Sequence, residues 1–171
     1  NYYNSRTTDM LYLYNVSVPP FTYNTLLANI GSMRNWGTEI AIGITPLKTK
    51  DMELNINANI TFQRNKLLSL SGMYNGEMLS ASEYKSLASL DGAGFHGGYN
   101  HIVYQMVGQP LGVFYLPHST GLESDGNGGY TYGIADLNGG GVSLEDGEDR
   151  YVAGQAVPKT ILGSNISFRY K

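Results

Sequence analysis

The sequence predicts an all-β chain: a portion of a large antiparallel transmembrane β-barrel, with about four spanning strands and a long extracellular insert. Apolar and polar residues alternate over runs longer than the roughly 5–6 residues of an ordinary soluble strand. The connections between these runs are strongly unequal in length. The composition suits turns, strands and interfaces, with 22 Gly and 14 Tyr against only 15% charged residues.

The opening run, Tyr2 to Tyr14, is rich in β-formers but alternates poorly, so its faces stay unassigned. From Trp36 to Pro46 the even positions are Trp36, Thr38, Ile40, Ile42, Ile44 and Pro46, and the odd ones are polar or small. From Met52 to Gln63 every even position is apolar and every odd one polar. Successive side chains of a strand point to opposite faces, so each run has one oily and one wet face. A bilayer-crossing strand needs roughly 9–11 tilted residues, which these runs supply. Thr160 to Lys171 alternates less cleanly, with Leu162, Ile166, Phe168 and Tyr170 on one face.

The expected strands therefore lie near 2–14, 35–46, 52–63 and 160–171. Leu47 to Asp51 makes a tight hairpin connection kept wet by Lys48 and Lys50. The links over 16–34 and 67–158 are long and read as extracellular loops, because outer-membrane barrels keep their turns short on the periplasmic side. A structureless loop of the second length would be suspect, so it should carry structure of its own. Within it His101–Tyr115 reads as strand broken at Gly108, Gln109 and Pro110, and Ser80–Leu90 as a short helix. Trp36, Tyr12 and Tyr14 fall at the outer rim and Phe168 and Tyr170 at the inner rim, where aromatic girdles belong. The chain opens without an initiator Met or a signal peptide and closes on a strand-like run, and is expected to be an excerpt of a longer protein.

With no cysteine, the sequence excludes disulfides and Cys-ligated zinc. A net charge of -3 gives no electrostatic basis for nucleic-acid binding. No Ser-nucleophile motif, P-loop or dinucleotide fingerprint is present. Catalysis is not expected, because the carboxylates gather in a Gly-rich loop without an apolar wall to raise a pKa. His96 and His101 lack a clear third ligand for a metal.

Asp136 and Asn138 fall at positions 1 and 3 of a calcium-type loop, with Gly141 at the turn position and Asp149 nearby. Gly140 and Gly147 stand where ligating residues belong, so the loop reads as a degraded calcium-like site and no cofactor is expected. Tyr99, Tyr104, Phe114, Tyr130 and Tyr132 lie in the insert, where flat sugar faces could stack on their rings; packing of the insert on itself is the competing role.

Several short runs, in order, resemble the SusC/RagA family of TonB-linked outer-membrane transporters. NYYNSRTTDML resembles a family strand of the form YY-x-x-x-T-x-D-(L/M)-L, and LANIGSMRNWGTEIAI resembles its N-x-G-x-(V/M)-x-N-x-G-x-E run. NANITFQRNKLLSL is similar to F-x-x-N-K-(V/L)-x-x-L, and GQPLGVFY to G-x-P-(I/L)-G-x-F-Y. IADLNGGG, followed by Asp149, Arg150 and the AVPK at Ala156–Lys159, resembles the family's Asp-rich loop and next strand. The resemblance implies the C-terminal part of a barrel in the outer membrane of a Gram-negative bacterium. It implies import of nutrients, usually oligosaccharides and sometimes peptides, with a SusD-like surface lipoprotein and with the TonB complex acting through an N-terminal plug domain that this stretch of sequence does not include. Outer-membrane lipid would surround it. The rivals are a secreted carbohydrate-binding or adhesive β-sandwich, whose oily faces would turn inward onto a second sheet, and a piece of a surface glycan hydrolase.

Overall fold

The computed structural model describes residues 1–81, 83–90, 100–145 and 147–171, and these form strands and turns with no helix among them. The main sheet contains β1 (Tyr2–Asn15), β2 (Thr25–Lys48), β3 (Met52–Ser69) and β12 (Thr160–Tyr170), all antiparallel, in the order β1-β2-β3-β12. β2 and β3 are 24 and 18 residues long and meet in the expected tight connection. There the Thr49 N–H donates to the Met52 carbonyl at 2.7 Å, and the Met52 N–H to Thr49 Oγ1 at 2.9 Å.

Register converts the alternation into continuous rows. Ile40 faces Ile60, which faces Leu162; Ile44 faces Ile56, which faces Ile166; Leu54 faces Phe168 and Met52 faces Tyr170. The other face carries Ala41–Asn59–Gly163, Gly43–Asn57–Asn165 and Asn55–Ser167. The oily rows are uncovered: Ile42 is 60% exposed and Ile166 is 67% exposed. No second sheet lies on them among the described residues, which removes the inward-facing arrangement a β-sandwich needs. The 11 residues of β12 rise about 33 Å, and a tilt of about 40° projects that to about 25 Å, the height of a barrel's apolar band. Pro46 sits where the β2–β3 register shifts between Ile44 and Leu47, a bulge that tolerates its missing N–H.

Beyond the oily band the strands continue. The stretch 16–34, expected to be all loop, becomes strand at Thr25 because Leu26, Ala28 and Ile30 pack into a small core. That core is built around buried Tyr14, Ala28 and Leu79 and is roofed by the hairpin β4 (Ser71–Tyr74) and β5 (Glu77–Ser80). β1 begins opposite Thr38 and continues outward from the oily band, so Tyr12 and Tyr14, opposite Ala28 and Leu26, pack in this core and cannot serve the outer aromatic girdle; Tyr2, 66% exposed, holds that level instead.

The stretch 67–158 likewise carries strands among its described residues. A second sheet has the order β11-β8-β7-β6, from β6 (Tyr84–Leu90), β7 (Asn100–Met106), β8 (Val113–Pro117) and β11 (Arg150–Gln155). The expected helix over Ser80–Leu90 is therefore corrected: Tyr84–Leu90 is strand, because its residues pair with β7 from Tyr84↔Met106 onward. The expected break in His101–Tyr115 falls between β7 and β8. β9 (Ser119–Ser124) and β10 (Tyr130–Ile134) form a separate exposed hairpin.

Candidate functional site

Two surfaces come out of this fold. The first is the wet face of the main sheet. Small residues there leave room for amides: Asn59 Oδ1 lies over Gly163, and a Cβ at Gly43 would stand 2.9 Å from Asn57 Oδ1. Ala41, Gly43 and Gly163 with Asn57, Asn59 and Asn165 line an open trough of about 460 Å³. Toward the short turn Thr45 Oγ1 donates to Asn55 Oδ1 at 2.8 Å, and Arg169 pairs with Glu53. Polar side chains of this kind line the interior face of a transmembrane barrel.

The second surface is the insert, which docks on the far end of β3. The Leu67 N–H donates to the Gln109 carbonyl at 2.9 Å and the Gly108 N–H returns a bond to Leu67 at 2.8 Å. Asn65 Oδ1 accepts the Leu111 N–H at 2.7 Å. The runs NKLLSL and GQPLGVFY are thus two halves of one joint, centred on fully buried Leu67. Sequence patterning did not single out Asn65, since a polar residue on a wet strand face has no local signature of a partner 46 residues away.

Of the expected ring platforms, Tyr99 lies outside the described residues. Tyr104 is 1% exposed and packs edge-on to Tyr115 at 5.3 Å. Its hydroxyl accepts from Arg150 Nη1 at 2.8 Å, and the guanidinium lies over the Tyr104 and Tyr115 rings. Phe114 is half-buried on β8. Both therefore pack the insert. Tyr130 and Tyr132, at 75% and 53% exposed, project from the β9–β10 hairpin, whose tip is tied by Asp125 Oδ1 accepting the Asn127 and Gly129 N–H groups at 2.8 Å. Among the described residues, Tyr104, Phe114, Tyr130 and Tyr132 do not come together at one surface.

The acidic loop is built around backbone donors. Asp136 Oδ1 accepts the Gly139 N–H at 2.6 Å and Oδ2 the Gly141 N–H at 3.0 Å. Asn138 Oδ1 accepts the Gly140 N–H, and its amide donates to Glu148. Asp149 is fully buried; its two oxygens accept the Ser143 and Leu137 N–H groups at 2.8 and 2.6 Å. The backbone bonds from Ser143 and Leu137 hold its carboxyl below the usual carboxylate range, against the opposing effect of burial. Among the described residues no group of three acidic or histidine side chains could hold an ion. Through these bonds Asp136, Asn138 and Asp149 pin the loop to itself. His101 Nδ1 is shared by the Ser86 and Ser89 hydroxyls at 2.7 Å, and His96 lies outside the described residues.

No protein-family model matches the chain. Curated relatives do. A TonB-dependent receptor P26 of Formosa agariphila is 28% identical over 100% of this chain and 17% of its own length. The TonB-dependent receptor SusC of Bacteroides thetaiotaomicron is 25% identical over 99% of this chain and 16% of its own. A second Formosa agariphila receptor, P39, is 31% identical over 71% of this chain and 10% of its own. The chain thus spans about a sixth of the length of the first two relatives. The solved RagAB peptide transporter has the same fold across 99% of this chain and 17% of its own, with a TM-score of 0.59 at 19% identity. The open sheet is that of a stretch of such a barrel's wall.

Proposed function

From the premise that this chain is SusC/RagA-like, a stretch of an outer-membrane barrel wall of a Gram-negative bacterium, we propose that the whole protein imports nutrients by TonB-dependent transport. The proposed substrates are oligosaccharides, taken up together with a SusD-like surface lipoprotein. The observation that carries this is the pair of unlike faces on one sheet, Ile40–Ile60–Leu162 toward lipid and Gly43–Asn57–Asn165 toward a wet interior. The insert stands at the end of the sheet opposite the short turn, where a substrate and a lipoprotein lid would arrive. Exposed Tyr130 and Tyr132 offer rings for sugar faces, while the chemistry is passage and not conversion.

The test uses the full-length gene. Its deletion should abolish uptake of labelled oligosaccharide, the intact gene should restore it, and inactivation of TonB should abolish it again. The complex purified from the outer membrane should contain a surface lipoprotein. Unchanged uptake in both deletions would refute the reading, and uptake of peptides alone would replace the substrate class.

A further inference from the structure

Resting on the lipid-facing assignment above, we propose that a basic row at the outer end of the oily face binds the phosphate of an outer-leaflet lipid. The register places it without ambiguity. Arg6 stands opposite Arg34, and Arg34 opposite Lys66. One row nearer the band, Asn4 faces Trp36 and Trp36 faces Arg64. Pairing runs unbroken from Arg34 to Ile44, and from Tyr2 to Thr7, so all these residues share the face of Ile40 and Ile60.

The height suits a lipid headgroup. The Tyr2–Thr38–Phe62–Thr160 row closes the oily band. Arg64 lies two residues beyond it and Lys66 four, about 7 and 13 Å along the strand. Tilt reduces these to about 5 and 10 Å in depth, and the headgroup layer is roughly 5–8 Å thick on each side. Arg and Lys side chains reach several ångströms along a surface while keeping their stems on apolar neighbours. Trp36 sits at the same level, with the Arg34 guanidinium 5.1 Å over its ring. An interfacial indole beside a basic group is the usual company of a headgroup.

Charge supports an anionic occupant. Like charges directly across neighbouring strands repel, yet three cations stand side by side here with no carboxylate in either row. Arg6, Arg34, Arg64 and Lys66 are all exposed. Arg34 Nε is held by Asn4 Oδ1 at 2.9 Å and one Arg64 nitrogen by the Gln63 and Lys159 carbonyls at 2.7 and 2.9 Å, which fixes the forks without neutralising them. A phosphate bridging this row would relieve the repulsion and accept charge-assisted bonds from several donors. The opposite end of the sheet differs: there Arg169 is already paired with Glu53, and on the wet face.

The experiment uses the full-length protein in detergent with three probes: phosphorylated lipid A, the same lipid A with its phosphates removed, and inorganic phosphate. Binding is read by native mass spectrometry. Phosphorylated lipid A should bind the intact protein, and Arg34→Gln with Lys66→Gln should weaken it by about tenfold or more. The charge-keeping exchange Arg34→Lys with Lys66→Arg should bind as the intact protein does, which separates loss of charge from misfolding. Lys50→Gln at the other end should change nothing. Equal binding of the two lipid A forms, undiminished binding by the Gln pair, or full competition by inorganic phosphate at the lipid's concentration would overturn the proposal. The lipid-facing assignment itself fails separately, if a nitroxide at Ile42 meets no lipid.

Discussion

Ile56→Arg and Asn57→Arg place the same charge one residue apart, on opposite faces of β3. The oily band on this strand runs from Met52 to Phe62, so its centre falls beside Ile56. Ile56 is one residue off centre, about 3 Å along the strand and less in depth. An arginine facing lipid at the midplane of a barrel costs about 2–4 kcal/mol, falling to about 0–1 near the interfaces. Ile56 should therefore sit in the upper part of that range. Loss of the Ile44 and Ile166 partners adds roughly 0.2–1 kcal/mol for each pair. Asn57 pairs with Gly43 and Asn165 on the wet face, where an arginine keeps its water and should cost about 0–1 kcal/mol. Denaturant unfolding of the full-length protein in lipid vesicles measures the difference. A cost at Asn57 equal to or above that at Ile56 would refute the assignment of faces.

Gly37→Ala should destabilise the sheet by about 1–3 kcal/mol, because the new Cβ would press on the Phe62 carbonyl oxygen and lie 2.6 Å from the Tyr3 hydroxyl; the same unfolding titration reads it. Asn65→Ala leaves the half-buried Leu111 N–H without its acceptor and should cost about 1–3 kcal/mol, seen as faster proteolysis in the insert while the barrel stays intact. Asp149→Asn removes one of two carboxylate acceptors, so the Leu137 or Ser143 amide should exchange hydrogen roughly tenfold faster or more. For the intact protein the sign follows from the depressed carboxyl: its contribution is fully present above the unfolded value near 3.9 and is lost as pH falls through the lower folded value. Loop protection measured by proteolysis should hold at neutral pH and fail only in strong acid.

The lipid-facing strands were legible because a lipid face and a wet face impose strict alternation on residues such as Ile40 to Ile44 and Met52 to Gln63. β1 was not, and the structure gives the cause: Asp9 adopts a φ of 56°, and the register slips on either side of Met10, which breaks the period. Residues 25–34 of β2 were missed because Asn29, Gly31 and Ser32 dilute the pattern there and their cover comes from the distant β4–β5 hairpin. Ser, Ala, Leu and Lys made 80–90 look helical; only pairing with β7 fixes Tyr84–Leu90 as strand, and nonlocal pairing leaves no local period. In the insert, Tyr104 looked like Tyr130 from the sequence, yet one is buried against Arg150 and the other stands in the open. Chain position alone does not distinguish them.

The most direct measurement is the accessibility of nitroxide labels placed at Ile42 and Asn165 in the membrane-embedded full-length protein. Oxygen, which concentrates in lipid, should relax the Ile42 label strongly, while a water-soluble nickel chelate should reach only Asn165. Shielding of Ile42 from both reagents, as in a dry core between two sheets, would contradict the barrel wall.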